Sequence, residues 1–181
     1  MGIATAARAE NASAPAPGDL RAVGKIEFPI SSSAAIQPDF ERAVALLHSF
    51  FYEEARRIFT AVAAKDPKCA MAHWGIAMTL FQPLWPTRPS VAERQRGWKE
   101  AQQGASLATT ARESLFVASV AEFFRDPESN DYWQRIQRWT GGLEKVHVAY
   151  PRDPEASAFY ALALLASVPP TEVSSPNQTR A

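Results

Sequence analysis

Two stretches of the chain repeat one another. Asp66-Pro67 is followed by Ala70-Met71-Ala72-His73-Trp74-Gly75-Ile76-Ala77-Met78, and Asp153-Pro154 by Ala156-Ser157-Ala158-Phe159-Tyr160-Ala161-Leu162-Ala163-Leu164. With one residue of slack both read Ala-x-Ala, an aromatic or histidine, an aromatic, a small residue, an aliphatic, alanine and an aliphatic. Proline cannot donate to a preceding helical turn, and it pushes the residue before it out of the helical region. Each Asp-Pro is therefore a break. Each stretch after it is a helix whose small residues mark where another helix backbone comes close. Recurrence of such a unit points to stacked helical hairpins, each covering the apolar face of its neighbour.

The rest of the chain fits that scheme. Ser31-Ser32-Ser33 offers N-cap chemistry, and Pro38 suits a first helical turn. Phe40, Val44 and Leu47 lie on one stripe, widened by Ala43 and Leu46. A second helix follows on Tyr52, Ala55, Ile58, Phe59 and Val62, and stops at Asp66-Pro67. The spacing predicts a third helix over Cys69–Phe81, ended by Pro83, Pro86 and Pro89. A proline-rich insertion over 82–89 is longer than a hairpin turn needs. Further helices are expected over Ser90–Leu107, Thr110–Phe124, Asp131–Ala149 and Glu155–Val168. Gly141-Gly142 falls inside the sixth, at roughly 1 kcal/mol per glycine relative to alanine. Close packing or a kink would explain the pair.

The ends read differently. Pro15, Pro17, Gly18, Gly24 and Pro29 without periodicity make 1–30 a disordered leader, apart from an extended Val23–Phe28 piece packing onto the first helix. A flexible tail is expected over 169–181, leaving 31–168 for the array. Ala7-Arg8-Ala9 has the small residues a signal peptidase requires, but Gly2 to Ala7 is too short for the apolar stretch upstream of one. The chain is then cytoplasmic with a disordered leader, or periplasmic or secreted if the true start lies upstream of Met1.

Composition removes several classes. Lys+Arg and Asp+Glu are both 19, for a formal net charge of zero, which argues against nucleic acid as the main partner. The basic clusters Arg56-Arg57 and Arg94–Lys99 have Glu53, Glu54, Glu93 and Glu100 among them and read as solvated helix faces. A single cysteine, Cys69, allows no internal disulfide. The longest nearly unbroken apolar run, Ala156 to Val168, is well short of the ~20 residues of a membrane span.

These features resemble the tetratricopeptide repeat family, whose unit is ~34 residues. The likeness is best over Phe40–Pro67, through Ala55, Phe59, Val62 and Pro67, and over Ala70–Leu80, through Trp74, Ile76 and Ala77. The second unit departs from the pattern through its proline insertion. The third, Ala111–Pro154, is degenerate, with Ala118 and Gly142 at the small positions. Gly24–Pro29 ahead of Ala43–Phe50 also resembles the opening of large bacterial repeat proteins that continue through many further helices. The resemblance implies an all-α fold: a right-handed superhelical array of about three antiparallel hairpins plus a final helix. Close-approach alanines would be Ala43, Ala77 and Ala163 on first helices, and Ala55 and Ala101 on second helices.

By the same resemblance, the function is a non-catalytic scaffold binding a peptide or helix in a concave groove. Gln37, Phe40, Val44 and His48 would line it from the first unit. Met71, Trp74, Met78 and Phe81 come from the second, and Ser157 and Tyr160 from the last helix. Trp85, between Pro83 and Pro86, is the tryptophan expected to be exposed; Trp74, Trp98, Trp133 and Trp139 are expected to fill space between hairpins. The seventh helix is apolar on nearly all sides. That raises the alternative of a structural module associating with a copy of itself through 156–168. Chemistry is poorly represented. His48, His73 and His147 form no cluster with ligand spacing, so no metal or cofactor is expected. Cys69 reads as a small buried apolar residue, and Glu113 and Glu122 as carboxylates on solvated faces.

Overall fold

The computed structural model describes residues 23–168; the rest of the expected leader, with Ala7–Ala9, and the expected tail over 169–181 lie outside the described residues. Among these residues there are seven helices and no strand. They are α1 (Gln37–His48), α2 (Tyr52–Lys65), α3 (Ala70–Met78), α4 (Val91–Leu107), α5 (Ala111–Phe124), α6 (Tyr132–Ala149) and α7 (Pro154–Ala166). Each packs on the next, α3 also packs on α1 and α5, and the whole is a helical repeat array. None is long and apolar enough to cross a membrane.

Local chemistry explains most of the helix starts. Ser90 and Glu93 form a reciprocal capping box at α4, Ser90 N–H donating to the Glu93 carboxylate at 2.7 Å. Thr110 caps α5 and Asp131 caps α6 through their side-chain oxygens. At α7, Asp153 Oδ1 accepts from the amides of Glu155 and Ala156, with Pro154 as first residue. The first helix corrects the expectation. Its N-cap is Ile36, with no side-chain bond, and the serines ahead of it are used elsewhere.

Close approaches occur where small residues permit them. Phe59 of α2 lies over Gly75 of α3, so close that a β-carbon on Gly75 would stand 2.4 Å from its ring. Gly97 of α4 stands in the same relation to Phe124 of α5. Ala43, Ala55, Ala77, Ala101 and Ala163 are fully buried. In the third hairpin the register is one residue off the expectation: Ala118 is exposed, and Ser119 is the residue against Gly142. A β-carbon on Gly142 would lie 2.7 Å from Ser119 Cα, whereas one on Gly141 meets nothing within 4 Å.

The turn between α5 and α6 is built around Arg135, which is 1% exposed. Its Nη1 donates to the carbonyls of Phe123 (2.7 Å) and Arg125 (3.0 Å), and its Nη2 to those of Asp126 and Ser129. Asp126 has a φ of 56°, a left-handed conformation that the wrapped turn imposes. Arg94, expected on a solvated face, is likewise buried and donates to the Pro89 and Pro127 carbonyls.

Three outcomes follow for stability. Gly141→Ala raises it by about 0.5–1 kcal/mol through helix propensity, whereas Gly142→Ala lowers it by about 1–3 kcal/mol because Ser119 Cα cannot yield. Urea unfolding of the two single variants reads this opposition. Arg135→Gln lowers stability by at least ~3 kcal/mol, since several carbonyls lose a charged donor together.

Candidate functional site

The faces expected to line an open groove instead meet one another. His48, near the end of α1, reaches α7: its Nε2 lies 2.7 Å from Glu155 Oε2, and its ring stacks on Phe159 at 4.7 Å. Phe159 in turn stands edge-on to Trp74 of α3 at 5.2 Å. Trp74 also packs on Phe116 of α5 at 5.8 Å. The inner faces of α1, α3, α5 and α7 thus close around one aromatic cluster. Phe40, Val44, Met71, Trp74, Met78 and Phe81 are all buried, none more than 3% exposed, and Tyr160 is buried against His147. These seven are mostly interior residues; Met78 also lines, with His48 and Phe159, a small pocket of about 80 Å³. Phe81 belongs to a second cluster, stacked on Phe123 at 3.9 Å and edge-on to Trp139 at 5.1 Å. Ser157 is half-buried, 3.2 Å from His147 Nδ1, and its hydroxyl also donates to the Asp153 carbonyl.

Part of the inner face is filled by the chain's own N-terminal segment. Residues 23–30 run extended, with Ile26, Phe28 and Ile30 turned inward and Glu27 and Pro29 outward. Only the Val23–Phe28 piece was expected to be ordered, and only against α1. Phe28 is fully buried among Phe40, Trp74 and Phe116, at ring distances of 5.4, 5.6 and 5.0 Å. Side chains from two helices bind the backbone around it. Gln37 on α1 donates to the Phe28 carbonyl (2.8 Å) and accepts from the Ile30 amide (3.2 Å), and Glu41 accepts from the Phe28 amide (3.1 Å).

On α5, Arg112 donates to the Pro29 carbonyl at 3.0 Å, with its guanidinium 4.4 Å above the Phe28 ring. Glu113 accepts from both the amide and the hydroxyl of Ser31. Glu113 is 2% exposed, which corrects its reading as a solvated carboxylate. Of the expected groove residues, Gln37 alone contacts this segment by hydrogen bonds. The partners Glu41, Arg112 and Glu113 carried no periodic signal.

A second feature lies on the outside. Trp85 in the proline insertion is 39% exposed, with Phe50 4.7 Å and Tyr52 6.3 Å from it by ring centroids. Burial, then the neighbouring Tyr132, pushes the Tyr52 phenol up to about 12, so it stays neutral. Pro83, Leu84, Trp85 and Pro86 face Trp133 of α6 and Leu165 of α7 across a cavity of about 300 Å³. Leu84, Trp133 and Leu165 are each exposed, and for Trp133 this corrects the expectation of a space-filling role. Arg88 supplies the cation at the cavity, its guanidinium 3.6 Å over the Tyr132 ring.

Cys69 is buried, and burial pushes its thiol up. His73 pairs with Glu100 across α3 and α4 at 2.7 Å. No group of three or more potential metal ligands occurs among the described residues. No protein-family model, curated protein or solved structure matches the chain.

The Arg112 clamp has a pH signature. Arg112 Nε donates to Asp153 Oδ2 at 2.6 Å. Burial opposes ionisation of Asp153, but Arg112 and the amides of Ala156 and Glu155 outweigh it and hold the carboxyl below its usual range. A depressed carboxyl contributes stability that is present above its unfolded value of about 4 and lost as pH falls through the folded one. Asp153→Asn therefore lowers the urea midpoint at pH 7, and the difference from wild type shrinks as the pH is taken below about 4.

Proposed function

We propose that the protein is a non-catalytic scaffold of tetratricopeptide type that docks an apolar segment of a protein partner on the shelf around Trp85. The observation that carries this reading is the exposure of Phe50, Leu84, Trp85, Trp133 and Leu165 about one cavity and its rim. Isolated exposed apolar residues are ordinary, but a contiguous set flanking a cavity marks an interaction surface. Tryptophan beside an arginine is the composition of an interface anchor. The histidines support the non-catalytic part, since His48 and His73 are engaged in hydrogen bonds to Glu155 and Glu100 that tie helices together.

One observation favours a second reading, self-association through 156–168: Ala158 and Leu165 are exposed on α7, with Leu162 half-buried. Sedimentation separates the two. A dimer that dissociates on Leu165→Glu supports self-association, and a monomer across the accessible concentration range supports an external partner.

For the external partner, a photo-crosslinking side chain at position 85 is compared with one at Val148, which is 71% exposed and does not line the cavity. A discrete adduct from position 85 alone, reduced at least tenfold by Leu165→Asp with helicity unchanged, is expected. Equal adducts from both positions would refute the shelf.

A further inference from the structure

The segment that fills the inner face is held as a ligand is held. A strand belonging to a fold exchanges backbone hydrogen bonds with a neighbouring strand. Here the amides of Phe28, Ile30 and Ser31 and the carbonyls of Phe28 and Pro29 all go to side chains, from Gln37, Glu41, Arg112 and Glu113. Gln37 grips donor and acceptor of the same stretch at once, and its amide is itself oriented by a bond to Glu41 at 2.8 Å. Such contacts read an extended backbone irrespective of side chain. Selectivity comes from three further features. One is the aromatic socket for Phe28. Another is Glu113, whose two oxygens take the Ser31 amide and hydroxyl, the hydroxyl also meeting Thr109 Oγ1 at 2.8 Å. The third is position 29, where proline lacks the donor that no side chain is placed to accept.

The connection to α1 is suited to release. Ser31 to Ala35 are small residues, exposed except for half-buried Ser32, and contribute no large side chain to the core. Helix α1 has no side-chain cap that the segment would have to supply. Leaving the cradle would therefore break the side-chain contacts of residues 26–31 and expose Phe28, without unwinding a helix.

We propose that the cradle of α1, α3 and α5 is a binding site for an extended apolar-x-Phe-Pro-apolar-Ser segment. This chain fills it with its own residues 26–31, which open as a unit and can be replaced by the same segment supplied from outside. The site is distinct from the Trp85 shelf and does not depend on it.

Hydrogen exchange on the full chain tests the opening. The amides of Phe28, Ile30 and Ser31 exchange at least tenfold faster than those of Trp74 and Val120 in the helices beneath. Exchange of both sets at one common rate would make the segment an ordinary part of the core and overturn the proposal.

Replacement is tested with a fluorescent peptide of residues 23–33 and the full-length Phe28→Ala variant. The variant binds the peptide at least tenfold more tightly than wild type does. Peptide in which alanine replaces phenylalanine does not compete, and adding Gln37→Ala to the variant weakens binding. A Phe28→Ala protein that keeps its helical signal yet binds no peptide at millimolar concentration refutes the site. Should that variant lose helicity, the same peptide restores it, and failure to restore it is equally decisive.

Discussion

Trp74 is the contact on which the rest of the molecule depends. From α3 its indole touches Phe28 of the N-terminal segment, Phe40 of α1, Phe59 of α2, Phe116 of α5 and Phe159 of α7, at centroid distances between 5.2 and 6.5 Å. The contacts with Phe59, Phe116 and Phe159 are edge-to-face, an arrangement that adds about 0.5–1.5 kcal/mol per pair beyond the area buried. The arrangement leaves the indole N–H buried without a partner, a desolvation cost of about 1–3 kcal/mol. The aromatic contacts exceed that cost.

The helices were legible because their signals are local. Asp-Pro breaks and apolar stripes at spacings of three and four act within a few turns of chain, so reading them needs no knowledge of the fold. The close approach at Gly142 was legible in kind, since a glycine inside a helix invites such an explanation, while its opposite, Ser119 rather than neighbouring Ala118, was not. A one-residue difference along a helix turns a side chain by about 100°, and composition alone does not choose between two small residues.

What periodicity could not supply is the identity of the surface that each apolar face meets. Phe40, Met71 and Phe81 carry the same pattern whether they face a guest or their own helices. The same ambiguity hid the polar members. Glu113 and Arg94 look like any surface charge until the backbone groups they bind are located far along the chain. Gln37 is the informative exception: it was placed on the inner face and is there, gripping backbone from the molecule's own N-terminal side. The Trp85 shelf was partly visible because the prolines around it prevent helix formation and leave the indole outside the packed layers.

The pairing of His48 with Glu155 has a kinetic corollary. Linear helical arrays fold and fray by nearest-neighbour steps, because each unit touches only the next. Here residues 107 positions apart are in contact, and Ser31 reaches across 82 positions to Glu113. Contacts of such sequence separation raise the loop-closure cost before any reward is collected and slow folding relative to an open array of the same length. The His48–Glu155 contact also ties the first of the described helices to the last. The hairpins must then be gained and lost together, as one cooperative transition.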